Sequence, residues 1–203
     1  MPCSEYAYPV TIGDRVYFAA QAWPAPFLRF GGYTNMMIEL RERTAETVLT
    51  YFRATRDAEI QKFLPQKAQS EEKALADFET TQREGATSYG QTIYADGRHV
   101  GDIWCYCIQE EEPNAMVSYC VFDKALWNKG VATQALKLFL EEIVEKFRLK
   151  HIGAFTYLEN IASIRVLEAN GFCRVEEFTE DGVASVYLQR NEEYCHADIT
   201  ENG

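Results

Sequence analysis

The chain has 203 residues, of which 47% are hydrophobic and 13% aromatic, and its formal net charge is −11. Enough apolar side chain is present to fill a sizeable core, which excludes a disordered chain, and the acidic balance disfavours nucleic acid as a partner. No stretch reaches the roughly 18 apolar residues of a membrane span, and the N-terminus lacks a signal-peptide pattern, so we expect a cytoplasmic protein with no membrane partner.

Residues 1–35 form a distinct N-terminal segment that is interrupted by prolines and shows no helical period. One hypothesis is a mis-assigned start, with the biological start at Met36 or Met37, immediately before a strand-like run. The other is a genuine, poorly packed extension. The domain itself is predicted over residues 36–190, and residues 191–203 form an acidic tail without Lys or Arg.

From residue 38 onward, strand and helix signals follow one another at short intervals. Ser70 is a helix N-cap residue, Asp96-Gly97-Arg98 has the composition of a hairpin turn, and Asn170-Gly171 is typical of a helix end. The strands are predicted at 38–41, 89–95, 99–108, 115–122, 152–157, 172–178 and 183–188, and the helices from Thr44, from Ser70, and over 131–147 and 161–169.

The helix over 131–147 is predicted to bury one face. The helical period brings six positions near one another, and five of them are apolar. These positions are Ala135, Leu138, Phe139, Glu142, Ile143 and Phe147. The order of elements predicts a mixed α/β fold with about six to seven, mostly antiparallel strands and about four helices, rather than a doubly wound sheet.

The turn from Lys129 to Thr133 joins a strand end to the start of a long helix. The first turn of a helix leaves backbone N–H groups without partners, and together with the macrodipole these groups favour a bound anion. Gly130 permits backbone angles that other residues resist and has no side chain to block a phosphate, while Ala132 keeps the approach close. On these residues alone, an ordinary loop-to-helix junction is the alternative.

Two blocks of sequence resemble a known family. The run Trp127-Asn128-Lys129-Gly130-Val131-Ala132 resembles the acetyl-CoA motif of GNAT N-acetyltransferases, (Gln/Arg)-x-x-Gly-x-(Gly/Ala), although Trp127 stands where Gln or Arg is usual. The run from Asn160 to Phe172 is similar to N-x-x-S-x-R-V-L-E-x-x-G-F, found in the branch that acetylates the N-termini of ribosomal proteins. The resemblance covers about residues 38–190 and implies a GNAT-like sheet splayed between its fourth and fifth strands.

The resemblance also implies which residues bind acetyl-CoA. The pantetheine arm would pair with backbone at the end of the fourth strand, and the helix turn would hold the pyrophosphate. Asn160 would hydrogen-bond the pantetheine, and Ser163 would lie near the sulfur. The implied set is Cys120, Val121, Phe122, Lys129, Gly130, Val131, Ala132, Thr133, Asn160 and Ser163.

Acetyl transfer to an amine needs a proton acceptor and benefits from an acid at the leaving thiolate. The tyrosine acid and the glutamate base of many relatives are replaced here by Leu167 and Met116. Ser163 is the candidate acid, with helix capping or a cofactor contact as the alternative. Positioning of the reactants, with water as base, is another mechanism. The candidate proton acceptors are Asp102, Tyr119 acting through water, and Glu110 to Glu112, which could equally be a solvated turn.

The acceptor is not identified by any motif. Four apolar or aromatic residues are candidates for its pocket or for the core: Phe63, Leu64, Tyr89 and Trp104. Both a protein N-terminus and a small-molecule amine stay open. The alternative function is a non-catalytic sensor or interaction module that binds acetyl-CoA, because the usual acid and base are missing.

The six cysteines form no Cys-x-x-Cys pair, and the three histidines have no ligand-like spacing. We therefore predict free thiols in a reducing compartment rather than a zinc site, and no metal. The predicted partners are acetyl-CoA as co-substrate and an amine acceptor, for a monomer or a homodimer.

Overall fold

The computed structural model describes residues 10–12, 15–17, 36–64, 70–109, 113–180 and 182–191. Most of the N-terminal segment, the carboxylates Glu110 to Glu112 and the acidic tail after residue 191 lie outside the described residues. The chain divides into two compact units, Phe30–Ile152 and a second one that combines Met1–Arg29 with Gly153–Gly203.

The first unit contains most of the predicted elements. Its strands are β3 Ile38–Glu42, β4 Tyr89–Ala95, β5 Arg98–Gln109 and β6 Asn114–Val121, and β7 His151–Tyr157 begins at the end of the unit. The first four lie in the order β3-β4-β5-β6, and each neighbouring pair is antiparallel. The helices are α1 Ala45–Ala54, α2 Ala58–Gln61, α3 Glu71–Thr81, the 3-10 helix η1 Lys124–Leu126 and α4 Val131–Phe147.

The second unit contains a helix and the last strands of the chain. Its elements are α5 Ile161–Glu168, β8 Cys173–Glu180, β9 Val183–Asn191 and a small antiparallel pair, β1 Val10–Ile12 and β2 Arg15–Tyr17. The strands follow the order β7-β9-β8, with β8 and β9 antiparallel. Phe155 of β7 packs on Tyr187 of β9 with ring centroids 4.9 Å apart.

The predicted elements from residue 38 onward are confirmed. From residue 38 onward, the described residues contain seven strands, β3 to β9, within the six to seven that the mixed α/β prediction gives. The described residues form five α-helices rather than four, because the short helix α2 was not predicted. Four residues are too few to show a helical period, and only the N-cap Asp57, whose carboxylate accepts the Glu59 and Ile60 N–H groups, marks its start.

The prediction for α4 was wrong at one position of its buried face. Leu138 is 40% exposed, whereas Leu136 and Leu140 are buried along with Ala135 and Phe139. The buried stripe is therefore rotated toward positions 136 and 140. The helix lies between the sheet and solvent, and a leucine at its margin is a common surface residue.

The two faces of the first unit's sheet carry different helices. On the face that we call the α1 face, the Thr92 hydroxyl of β4 donates to the Thr47 hydroxyl of α1 at 3.3 Å. On the opposite face, which we call the α4 face, Gln91 of β4 donates to Glu142 of α4 at 3.3 Å. Because side chains alternate along a strand, these contacts and the regular register assign residues 89–93 of β4, 101–105 of β5 and 117–121 of β6 to one face or the other.

Gly101 is a point of close approach between β5 and β6. A Cβ at this position would lie 2.4 Å from the Cys120 carbonyl oxygen and 3.0 Å from the Val121 Cα. We expect Gly101→Ala to lower the free energy of unfolding by about 1–3 kcal/mol, because the strands must separate to admit the methyl group. Urea denaturation measures the loss, and a wild-type midpoint would show that the strands have room to part.

Candidate active site

The turn before α4 has the backbone of an anion-binding site. Gly130 is the N-cap residue of α4 with φ +79° and makes no side-chain capping hydrogen bond. Asn128 also has a positive φ, +59°. The Gln134 N–H donates to the Gly130 carbonyl, which is the first i to i−4 hydrogen bond of the helix. The N–H groups of Val131 and Ala132 come before this bond, in the first turn. The residues present therefore fit a phosphate group at this position.

The reason for glycine at position 130 is its left-handed backbone angle, since the space around it is open. A Cβ there would meet only the Gln134 side-chain nitrogen, at 3.9 Å. Crowding by the protein itself does not demand glycine, whereas the left-handed φ does. The backbone N–H of Lys129 donates to the Leu126 carbonyl at 3.3 Å. One of the five N–H groups predicted for the pyrophosphate is thus already engaged within the loop.

The end of β6 is held tightly against β5. Cys120 pairs with Asp102, and Val121 pairs with Gly101. The Phe122 N–H donates to the Val100 carbonyl at 2.9 Å. Burial raises the pKa of the Cys120 thiol to about 12, so this cysteine is protonated and unreactive at neutral pH.

Asp102 is the central residue of a buried ionic cluster on the α1 face. It is 1% exposed. Its carboxylate lies 3.1 Å from the Arg43 Nε and 3.0 Å from the His99 Nε2. Burial raises the pKa of Asp102, and the hydrogen bond from His99 and the charge of Arg43 act in the opposite direction. We call Arg43, His99 and Asp102 the buried trio.

Aromatic rings surround the buried trio. The His99 ring stacks on Tyr94 with centroids 5.7 Å apart and meets the edge of Phe122 at 4.9 Å. The Arg43 guanidinium lies 5.5 Å from the Trp104 ring centroid. Gly90 leaves the space that this guanidinium occupies, because a Cβ there would be 2.7 Å from the Arg43 Cζ. Sequence reasoning missed Arg43 and His99, since no motif contains them.

The structure does not bring the two candidate bases together. Tyr119 pairs with Ile103, and the next residue on each strand, Cys120 and Asp102, also form a pair. Side-chain alternation therefore places Tyr119 on the α4 face and Asp102 on the α1 face. The third candidate, Glu110 to Glu112, lies outside the described residues.

The residues predicted for an acceptor pocket are also divided between the faces. Tyr89 stacks on Phe139 of α4 at 6.0 Å and donates to Glu142 of the same helix. Trp104 instead meets the edge of Tyr51 of α1 at 6.1 Å. Tyr89 and Trp104 therefore do not line one pocket on one face of the sheet. Phe63 and Leu64 follow α2 and are half-buried.

Helix α5, in the second unit, positions Asn160 and Ser163. Asn160 is the N-cap residue, and its side-chain oxygen accepts the Ser163 N–H at 3.2 Å. Ser163 is half-buried. Leu167, at the position where many relatives have the tyrosine acid, is 1% exposed and belongs to the core.

Comparison with known proteins identifies the family. The sequence model of the GNAT acetyltransferase domain matches residues 38–173, well over half of the chain. The chain belongs to the GNAT acetyltransferase family. As a GNAT protein, it is an acetyl-CoA-dependent N-acetyltransferase. No curated protein matches the chain at a significant level.

Solved structures with the same fold include acetyltransferases for different acceptors. RimL, a ribosomal L7/L12 α-N-protein acetyltransferase in complex with coenzyme A, is 18% identical, with a TM-score of 0.66 over 78% of this chain and 96% of its own. Spermidine N-acetyltransferase from Vibrio cholerae, with CoA and spermine, is 12% identical, with a TM-score of 0.70 over 77% and 96%. Aminoglycoside acetyltransferase AAC(6')-Ib, with paromomycin and acetyl-CoA, is 15% identical, with a TM-score of 0.68 over 81% and 98%.

Within the parts of the chain that the structure describes, no three His, Cys, Asp or Glu side chains are grouped to hold a metal ion. In the same residues, every helix is too short or too polar to cross a membrane.

Proposed function

We propose that this GNAT protein transfers the acetyl group directly from acetyl-CoA to a primary amine, with both substrates bound at once. The observation that carries the proposal is the turn before α4, where Gly130 is left-handed and exposed, so no side chain covers the first N–H groups of the helix. Acetyl-CoA supplies the acyl group as an activated thioester. The family match over residues 38–173 lies within the transferase domain that we propose over residues 36–190.

We propose that the turn binds the pyrophosphate through the N–H groups of Gly130, Val131, Ala132 and Thr133. The positive end of the helix dipole and the Lys129 ammonium add favourable electrostatics. The backbone of Cys120 to Phe122 is proposed to guide the pantetheine. Asn160 and Ser163, at the start of α5, are proposed as further cofactor contacts, as the family resemblance implies.

The proton of the amine is proposed to leave through water, helped by positioning of the two substrates. The Asp102 carboxylate is 1% exposed and is engaged by Arg43 and His99, so it is a poor acceptor for a proton from outside the cluster. Tyr119, on the other face of the sheet, would act separately through water. Single variants of Asp102 and Tyr119 are therefore expected to have independent effects.

Ser163 is proposed as the acid that protonates the leaving thiolate. We expect Ser163→Ala to lower kcat by about 100-fold, while the KM for acetyl-CoA stays within about threefold, because a general acid acts in the transition state. Steady-state kinetics at varied acetyl-CoA measures both constants. Ser163→Thr keeps the hydroxyl and is the matched control. An equal loss of turnover and affinity would instead make Ser163 a cofactor contact.

For the acceptor, we propose a protein N-terminal amine before a small-molecule amine. The block from Asn160 to Phe172 supports this order, since it is similar to the ribosomal-protein branch. Spermine and an aminoglycoside are the small amines bound by two of the structural neighbours. Polyamines and aminoglycosides are therefore the small-molecule acceptors to compare with peptides.

The test is thiol release from acetyl-CoA in the presence of peptides with free N-termini, polyamines and aminoglycosides. Acceptor-dependent release, with one acetyl group added to the amine by mass spectrometry, supports the proposal. The alternative is a sensor or interaction module that binds acetyl-CoA without turnover. Tight CoA binding with no release on any acceptor would favour the sensor.

A further inference from the structure

The side chain of Trp127 connects the turn before α4, residues 129–133, to the end of β6. We call these residues the phosphate turn. Trp127 stands where the GNAT motif usually has Gln or Arg. Its indole Nε1–H donates to the Val121 carbonyl at 2.7 Å, in a partly buried position. Since Val121 is the last residue of β6, this bond spans the whole segment between the strand and the turn.

The acceptor of this bond is fixed in position. Val121 pairs with Gly101, where even a Cβ would approach the Val121 Cα to 3.0 Å. The next residue, Phe122, donates its N–H to the Val100 carbonyl at 2.9 Å, and Val100 is 1% exposed. The indole is therefore bonded to one of the most constrained points of the sheet.

The other end of the connection is a turn with left-handed backbone. Asn128, directly after Trp127, has φ +59°, in the region that asparagine enters more easily than most residues other than glycine. The Trp127 N–H donates to the Lys124 carbonyl at 3.2 Å, and the Lys129 N–H donates to the Leu126 carbonyl at 3.3 Å. Trp127 thus bonds through both its backbone and its side chain, immediately before the left-handed residues.

Tryptophan suits this role chemically. Its indole has one donor and no acceptor, so it satisfies a carbonyl without competing for the N–H groups of the turn. Only two side-chain torsions must be ordered, which keeps the entropy cost of holding the ring low.

We propose that Trp127 is a positioning residue for the CoA pyrophosphate. Its hydrogen bond to Val121 holds the turn so that the N–H groups of Gly130, Val131 and Ala132 converge before the ligand arrives, and such preorganisation increases affinity. This inference rests on the proposed binding of the pyrophosphate at this turn.

The test compares wild type with Trp127→Phe, which keeps an aromatic ring and removes the N–H donor. Calorimetry measures the affinity for CoA, and ligand-observed NMR measures the affinity for pantetheine, which lacks the pyrophosphate. We expect the Kd for CoA to rise about 10-fold, the loss of one hydrogen bond, while the Kd for pantetheine is unchanged. The kcat at saturating acetyl-CoA is expected to stay within about twofold.

Other outcomes overturn the inference. An unchanged Kd for CoA, or an equal rise for CoA and pantetheine, would show that the indole bond does not act on the pyrophosphate. Trp127→Gln restores a donor of the kind usual in the family, and it is expected to bind CoA more tightly than Trp127→Phe. If the wild type itself bound no CoA, the proposed function would fail together with this inference. If the wild type bound CoA and Trp127→Phe bound it equally well, the inference alone would fail.

Discussion

Gly130→Asp is expected to abolish CoA binding, with a rise in Kd of at least about 100-fold. Asp is a strong N-cap residue, so its carboxylate would accept the N–H groups of Ala132 or Thr133 and occupy the site that the pyrophosphate needs. The remaining charge would repel the phosphates at short range. The space admits a side chain, because only the Gln134 amide nitrogen lies within 4 Å of the built Cβ, at 3.9 Å, and the cost to the fold is the left-handed φ of +79°. Calorimetric titration with CoA measures the effect.

Gly130→Asn is the matched control for charge. Asn has nearly the shape of Asp, tolerates a left-handed φ, and also caps helices, but it is neutral. We expect Asn to weaken CoA binding less than Asp, by about 10-fold, and both variants to remain folded by circular dichroism. Wild-type affinity in Gly130→Asp would refute the assignment of this turn to the pyrophosphate.

Most of the fold was predictable because its signals are local. The turn at Asp96-Gly97 has two successive positive φ values, +48° and +75°, which is the geometry expected for a two-residue hairpin of this composition. The α4 bounds follow directly from the apolar period between the Gly130 turn and Arg148. The exposed Leu138 shows the limit of that signal, since a period locates a stripe but not its edges.

The candidate site was predictable only in part, for a related reason. The turn from Lys129 to Thr133, which we propose for the pyrophosphate, is a short contiguous motif, so the proposal needs no information beyond these residues. The buried trio instead depends on distant positions: Arg43 precedes α1, whereas His99 and Asp102 belong to β5. The contact between them depends on strand register and on the absence of a side chain at Gly90, and a local sequence motif shows neither. The same register separates Tyr119 from Asp102.

Asp102→Ala is expected to lower the free energy of unfolding by about 3–5 kcal/mol, because it leaves the Arg43 guanidinium buried without its counter-charge. Arg43 is 16% exposed at its side chain and Asp102 is 2% exposed, so water cannot replace the lost partner fully. Urea denaturation of Asp102→Ala, Arg43→Ala and the double variant measures the coupling. We expect the double variant to be more stable than the sum of the single losses predicts. Additive losses would show that the two side chains do not interact.

The two single variants are expected to differ in their pH dependence. Asp102→Ala removes the titrating carboxyl and leaves Arg43, which keeps its proton, so this variant has no pH response from Asp102. In Arg43→Ala, the pKa of Asp102 rises further, because burial already raises it above 3.8 and the opposing charge is gone. A raised pKa in the folded state means stability that is present at low pH and lost as the pH rises through that pKa. The destabilisation by Arg43→Ala should therefore be smaller at acidic pH, and a parallel response of both variants would show that Asp102 does not titrate in the folded protein.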